Sequence, residues 1–383
     1  MDTIELLETL VGFETVSKDT NLPLLDFVTA YLIERGFTCR RIADETGLKA
    51  NLIASIGPQG NDGIILSGHT DVVPVAGQSW SSNPFRLRRD GGRLYGRGAA
   101  DMKGFLAAAL RVADEASHMR LQRPLHLALS HDEEIGCIGV RSLLADLKGR
   151  SFKATLCIVG EPTSMNIGLG HKGKLAARAT CRGVGGHSAV APQLLNAIHL
   201  AADFVSALRE EQAEIAMSGA SDPDFDIAYS TIHAGKISGG AALNVVADQA
   251  TVEFEIRHLA QDDPAIILAR LQARAEEIVR PQRERFDNAA IKINVDNAYP
   301  GFSIGAASPA VALLRSWLPS AETTKVSFGT EAGLYAETLN IPTIVIGPGS
   351  MNQGHKPDEY IDVDQLSACD TFLDRILSSL AKA

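Results

Sequence analysis

GIILSGHTDVVP, residues 63–74, decides how the chain is read. Its first part, 63–67, is a short apolar run of the kind that forms a strand covered on both faces. His69 and Asp71 follow, so an imidazole and a carboxylate leave the C-terminal end of a buried strand. In an open α/β sheet, ligands bind in the crevice outside those ends. Three more runs end in the same way. Residues 125–130 are followed by Glu133 and Glu134, 155–159 by Glu161, and 341–346 by a loop carrying His355. Asp101 immediately precedes a helix expected over 102–116, where the chain crosses that same edge.

Outward from these strands, 1–172 alternates apolar runs with helical periodicity. The expected strands are 51–56, 63–67, 125–130 and 155–159, and the expected helices are 3–11, 22–35, 102–116 and 137–147. The order then changes to strand 175–182, helix 193–209, strands 227–236 and 249–257, helix 264–279 and strand 289–295, a ferredoxin-like β-α-β-β-α-β unit. The α/β pattern resumes with helix 308–316, strand 341–346 and helix 363–380. The expected fold class is α/β: a mixed, mainly parallel sheet with helices on both faces over 1–173 and 293–383, and an inserted ferredoxin-like α+β domain over 174–292.

The composition narrows the function. The chain has 383 residues, 45% of them hydrophobic, enough to bury two cores. Its longest apolar stretches, 105–110 and 341–346, fall short of the roughly 18 to 20 residues that span a membrane, so no membrane partner is expected. The N-terminus lacks a basic segment followed by an apolar one, so a secretory signal is not expected. Cysteines 39, 137, 157, 181 and 369 are odd in number and without CxxC spacing, which argues against a disulfide framework and a thiolate zinc site. A reducing, cytoplasmic setting is expected. The net charge of −10, with no basic run, makes nucleic acid a poor partner.

Two histidines and several carboxylates form an N/O ligand set suited to zinc, cobalt or manganese, acidic enough for two divalent ions. If Asp101 gives one oxygen to each, the ions stand roughly 3.5 to 4 Å apart. One carboxylate must stay off the metals to move protons, and adjacent Glu133 and Glu134 offer that division.

GHTDVVP (68–74), GRGAADMKG (96–104), SHDEEIGC (130–137), GEPT (160–163), GVGGHSA (183–189) and GHKPDE (354–359) resemble, in order and over nearly the whole chain, the motifs of the dizinc aminoacylase and carboxypeptidase family. That family includes acetylornithine deacetylase, succinyl-diaminopimelate desuccinylase and carboxypeptidases. The resemblance implies two divalent ions, zinc first and cobalt or manganese as alternatives, one on His69, Asp101 and Glu161 and the other on Asp101, Glu134 and His355. It implies that Glu133 is the general base and that Asp71 orients His69 through its second ring nitrogen. A cis peptide is expected after Asp101. His187 would cross from a partner subunit to hydrogen-bond the oxyanion, in a homodimer built through the inserted domain.

SFGTEAG (327–333) and GHKG (170–173) resemble the acetylornithine deacetylase branch more than the desuccinylases. The implied substrate is a small N-acyl amino acid, N2-acetylornithine, with arginine biosynthesis as the setting. Arg257 and Asn244 match positions that contact a substrate carboxylate in relatives, a task suited to a guanidinium, and Glu331 is expected to pair with the ornithine ammonium. Plainer roles stand beside these: His187 capping its own turn, Arg257 pairing with Glu255 or Asp248, and Asn244 serving a turn. Succinyl-diaminopimelate, another N-acyl amino acid or a dipeptide would use the same chemistry. A non-catalytic binding protein of the same fold is the reading from another class.

Overall fold

The computed structural model describes residues 1–60 and 62–382. These fall into two compact units. The first comprises Met1–Gly170, Ser303–Val326 and the chain from Thr330 onward, and the second comprises His171–Phe302 with Ser327–Gly329.

The first unit is built on a mixed sheet. Four neighbouring strands, Leu125–Ser130, Ile64–His69, Leu156–Val159 and Thr343–Val345, are parallel. Antiparallel strands flank them: Ala50–Ile56 and Thr38–Ala43 on one side, Ile167–His171 on the other. Side chains alternate across the sheet. Ile64, Leu66, Leu125, Leu127, Leu156 and Ile158 join a core shared with the helices Thr3–Val11, Leu22–Glu34, Gly104–Ser117 and Val363–Leu380. Ser67 points the other way, its hydroxyl donating to Tyr335 Oη at 3.0 Å on the helix Ala332–Leu339. That helix packs on Val140–Gly149. Parallel strands covered on both faces carry apolar residues at nearly every position, hence the continuous runs.

The second unit has the order strand Gly173–Arg182, helix Ala197–Ser218, strands Thr231–Gly239 and Gln249–His258, helix Pro264–Arg283 and strand Ala290–Tyr299. All its sheet pairings are antiparallel, with Gln249–His258 and Gly173–Arg182 central and Thr231–Gly239 and Ala290–Tyr299 at the edges. The unit runs past 292 because Ala290–Tyr299 pairs with Gly173–Arg182 as far as Tyr299↔Lys174. Its first helix starts at Ala197 rather than 193, since the Asn196 side chain accepts from the Ile198 N–H and sets the N-cap. It continues beyond 209 because Glu211, fully buried, is met by Arg270 and Arg274.

The helix expected from 137 starts at Val140, because Cys137 takes a left-handed backbone (φ 54°) in the turn before it. The strand Ile167–His171 and the helix Ala332–Leu339 were not expected. No helix among the described residues is long and apolar enough to cross a membrane, and the five cysteines are free.

Candidate metal centre

The parallel strands set their C-terminal ends side by side. His69 is the last residue of Ile64–His69 and pairs with Ser130, the last of Leu125–Ser130. Glu133 and Glu134 follow Ser130, and Glu161 lies two residues beyond Leu156–Val159. Asp101 lies in a non-helical turn (φ −121°, ψ 92°) before Gly104–Ser117, and the Asp101–Met102 peptide bond is cis. His355 occupies the loop after Thr343–Val345, with φ 61°.

These side chains meet. His69 Nε2 is 3.1 Å from Asp101 Oδ1, and His355 Nε2 is 3.1 Å from Asp101 Oδ2 and 2.9 Å from Glu134 Oε2. Asp101 therefore offers one carboxylate oxygen to each imidazole. Ligand atoms of His69, Asp101 and Glu134 lie within 4.8 Å of one another, as do those of His69, Glu133 and Glu161. Glu133 thus reaches the region shared by His69 and Glu161.

His69 Nδ1 is 2.9 Å from the Asp71 carbonyl oxygen, which only accepts, so a proton sits on Nδ1. Nε2 then faces a carboxylate oxygen, a contact satisfied either by a second ring proton, which Asp101 and Asp71 favour against the ring's burial, or by a cation between the two. The Asp71 carboxylate is farther from Nδ1, at 3.6 Å, and does other work. It accepts from the Ser17 hydroxyl at 2.8 Å and from the backbone N–H groups of Glu133 and Glu134 at 3.1 and 3.3 Å. Asp71 thus meets the His69 ring with its carbonyl at 2.9 Å and its carboxylate at 3.6 Å, and the same carboxylate holds the Glu133–Glu134 backbone.

The electrostatics point the same way. Burial, reinforced by neighbouring carboxylates, pushes Glu161 well above the usual range and Glu134 up to about 7. Burial also raises Glu133, against the pull of His69. Asp101 resists its own burial and is held low by His355 and His69. Contacts with Asp101 and Glu134 lift His355 to about 10. Glu134 Oε1 and Glu161 Oε1 are buried with no hydrogen-bond partner. A crowded carboxylate set with idle buried oxygens and two aimed imidazoles fits divalent cations. The side chains placed to hold them are His69, Asp101, Glu133, Glu134, Glu161 and His355.

The other expected residues are distributed differently. Glu331, in the first unit, is buried, neither carboxylate oxygen has a hydrogen bond of good geometry although the Ser130 hydroxyl faces it, and its burial pushes it up to about 7. His187, Asn244 and Arg257 belong to the second unit. His187 Nδ1 accepts from the Ala189 N–H at 3.1 Å and caps its own turn, which leaves the ring proton on Nε2. The Asn244 carbonyl accepts from the Ser188 N–H at 3.0 Å. Arg257 donates to Glu255 at 3.0 Å and to Tyr299 Oη at 3.0 Å, so the plainer ion pair with Glu255 is present.

Several contributors carried no assigned role in the sequence. Ser17 gives no signal at all. Arg97 and Glu359 lie inside quoted motifs, and buried charge flanking a ligand was the available clue.

Residues 65–379 match the pattern of Peptidase family M20/M25/M40. The chain is 30% identical over 374 residues to an acetylornithine deacetylase of Yersinia pseudotuberculosis, covering 94% of this chain and 92% of that protein. Among solved structures it is similar to aminopeptidase PepT from Bacillus cereus, with TM-score 0.78, 19% identity and 99% and 98% of the two chains covered. It is also similar to the Bacillus subtilis YXEP protein, described as a dinuclear metal binding peptidase, with TM-score 0.71, 17% identity and 99% and 97% covered.

Proposed function

The chain belongs to Peptidase family M20/M25/M40 and is a hydrolytic enzyme, and from that premise we propose that it removes the acetyl group of N2-acetylornithine at a two-cation centre, as a homodimer in the cytoplasm. The carrying observation is the Asp101 carboxylate, whose two oxygens each face a different histidine at 3.1 Å. The ions are proposed to be zinc, with cobalt or manganese as alternatives.

Divalent ions bound there supply Lewis acidity, polarising the amide carbonyl and acidifying a water. Glu133 takes the proton of the attacking water as its oxygen bonds to the amide carbon, and returns that proton to the nitrogen as the C–N bond breaks and the amine departs. Burial favours this, since it raises the Glu133 carboxyl above its usual range, against the pull of His69, and so makes its carboxylate a stronger base than an exposed one. The Ser17–Asp71 contact and the two N–H groups fix the Glu133 backbone through both steps. His187, with its proton on Nε2, is a donor for the oxyanion. Its delivery from a partner subunit is part of the proposal.

Substrate choice rests on the relatives and on Glu331. A buried carboxylate with neither oxygen in a hydrogen bond of good geometry suits a primary ammonium. Arg257 takes the substrate carboxylate only by sharing or exchanging Glu255, and Asn244 is proposed beside it. Solved structures of similar fold include peptidases, so dipeptides and other N-acyl amino acids are the competing substrates. The test is an assay of metal-replete protein against acetylornithine, N-acetylnorvaline, succinyl-diaminopimelate and a dipeptide. Chelator-sensitive hydrolysis with acetylornithine preferred is expected. Equal rates on the acetylated pair would remove the Glu331 role, and no amide hydrolysis at all would leave the non-catalytic reading standing.

A further inference from the structure

Two of the ligand-bearing segments differ in how they are held. His69 ends a parallel strand and is fixed by the sheet ladder, and Glu161 lies two residues beyond one, tied to it through the Gly160 N–H to the Ser67 carbonyl at 3.0 Å. His355 sits on a loop with left-handed backbone, its side chain 46% exposed, and Asp101 sits in a non-helical turn. Something other than the ladder must fix the separation of these two.

We propose that Arg97, Glu359 and Gln78 are positioning residues that brace Asp101 against His355 and so set the affinity of the cation position that His355 shares; the proposal rests on the two-cation reading above. Glu359, buried, accepts with Oε1 from the N–H groups of Ala100 and Asp101 at 2.9 and 3.1 Å. Its Oε2 accepts from Arg97 Nη1 at 2.6 Å and from the Gly98 N–H at 3.1 Å, and its carbonyl accepts from the Gly96 N–H at 2.9 Å. The turn carrying Asp101 thus hangs on one carboxylate of the His355 loop. Arg97, also buried, donates from Nη2 to Gln78 Oε1 at 2.5 Å and from Nη1 to the Lys356 carbonyl at 3.4 Å. Gln78 closes the circuit by donating from Nε2 to the His355 carbonyl at 3.0 Å.

The chain of contacts therefore runs from the Asp101 N–H through Glu359, Arg97 and Gln78 to the backbone of His355. None of the three touches the Asp101 carboxylate or the His355 ring, so none is itself a ligand by its contacts. The Arg97–Glu359 bond at 2.6 Å is charge-assisted, the kind that holds geometry rather than merely filling space. Groups behind metal ligands typically change affinity by about 10- to 100-fold when removed.

The experiment is a cobalt(II) titration of the metal-free full-length protein, followed by visible absorption, for the wild type, Gln78→Ala and Glu359→Gln. Gln78→Ala is the primary variant because Gln78 is only part-buried and is not a member of the buried Arg97–Glu359 pair. The wild type should take up two equivalents. In Gln78→Ala the first should bind as in the wild type and the second about 10- to 100-fold more weakly, with the melting temperature of the metal-free protein unchanged. Glu359→Gln should weaken the same equivalent. Wild-type binding of both equivalents by both variants, or equal weakening of the two, would overturn the brace. Failure of the wild type to take two equivalents would instead overturn the two-cation reading.

Discussion

Glu133 is held from three directions: its backbone N–H donates to Asp71, its Oε1 accepts from the Cys137 thiol at 3.3 Å, and its side chain reaches the region of His69 and Glu161. A base must be fixed yet free of the cations to move a proton. Glu133→Gln should keep both bound ions while lowering kcat by at least about 10²-fold, the lower end of what general base catalysis contributes; metal analysis beside steady-state rates checks this, and near-wild-type turnover would remove the role. His126 is independent of that chemistry. It is buried against Phe152 and hydrogen-bonded to Ser55, and burial pushes it down to about 4. The folded form therefore keeps this ring neutral, while the unfolded chain takes up a proton near the usual histidine value of about 6.5. Between those values the unfolded state binds more protons, so stability falls as pH drops from about 6.5 towards 4. The melting temperature of His126→Gln should fall less than that of the wild type over this window, and parallel pH profiles would contradict the prediction.

The strand ends are where element and chemistry join, and Gly160 shows how tightly. It links Leu156–Val159 to Glu161, and a Cβ there would lie 2.0 Å from the ring of Phe105 on the helix Gly104–Ser117. Overpacking of this kind costs about 1–3 kcal/mol, so Gly160→Ala should lower stability to denaturant by that amount; an unchanged midpoint would show that the helix yields freely. The same packing explains what was legible in the sequence. Ile64–His69 and Leu125–Ser130 are buried along their whole length and show as mainly apolar runs, interrupted by Ser67 in one and His126 in the other, so the ends that bear His69, Glu133 and Glu134 were readable from pattern alone. Ile167–His171 was not, because its two glycines imitate a loop. Ala332–Leu339, at eight residues, is too short to establish a helical period. The Asp71 division of labour and the Glu359 contacts were hidden for another reason: both depend on which backbone N–H groups a fold brings near a carboxylate, which residue spacing does not encode.

At the scale of the whole molecule, the second unit presents an open sheet edge. Thr231–Gly239 is exposed along most of its length, Ile237 is half exposed, and Leu243 is wholly so. Exposed apolar side chains on an unpaired edge and on the turn that follows it, where Leu243 lies, favour self-association. The proposed homodimer should therefore dissociate in Leu243→Lys combined with Ile237→Lys, read as a halved mass by light scattering; a monomeric wild type, or a dimer indifferent to both changes, would contradict it. The account as a whole depends on Asp101 joining two cation positions, and the most direct measurement counts tightly bound divalent ions per chain in the wild type and in Asp101→Ala. Two ions in the wild type and fewer than one in the variant are predicted, since both positions lose a shared ligand. Two ions retained without Asp101, or none held by the metal-replete wild type, would contradict the account.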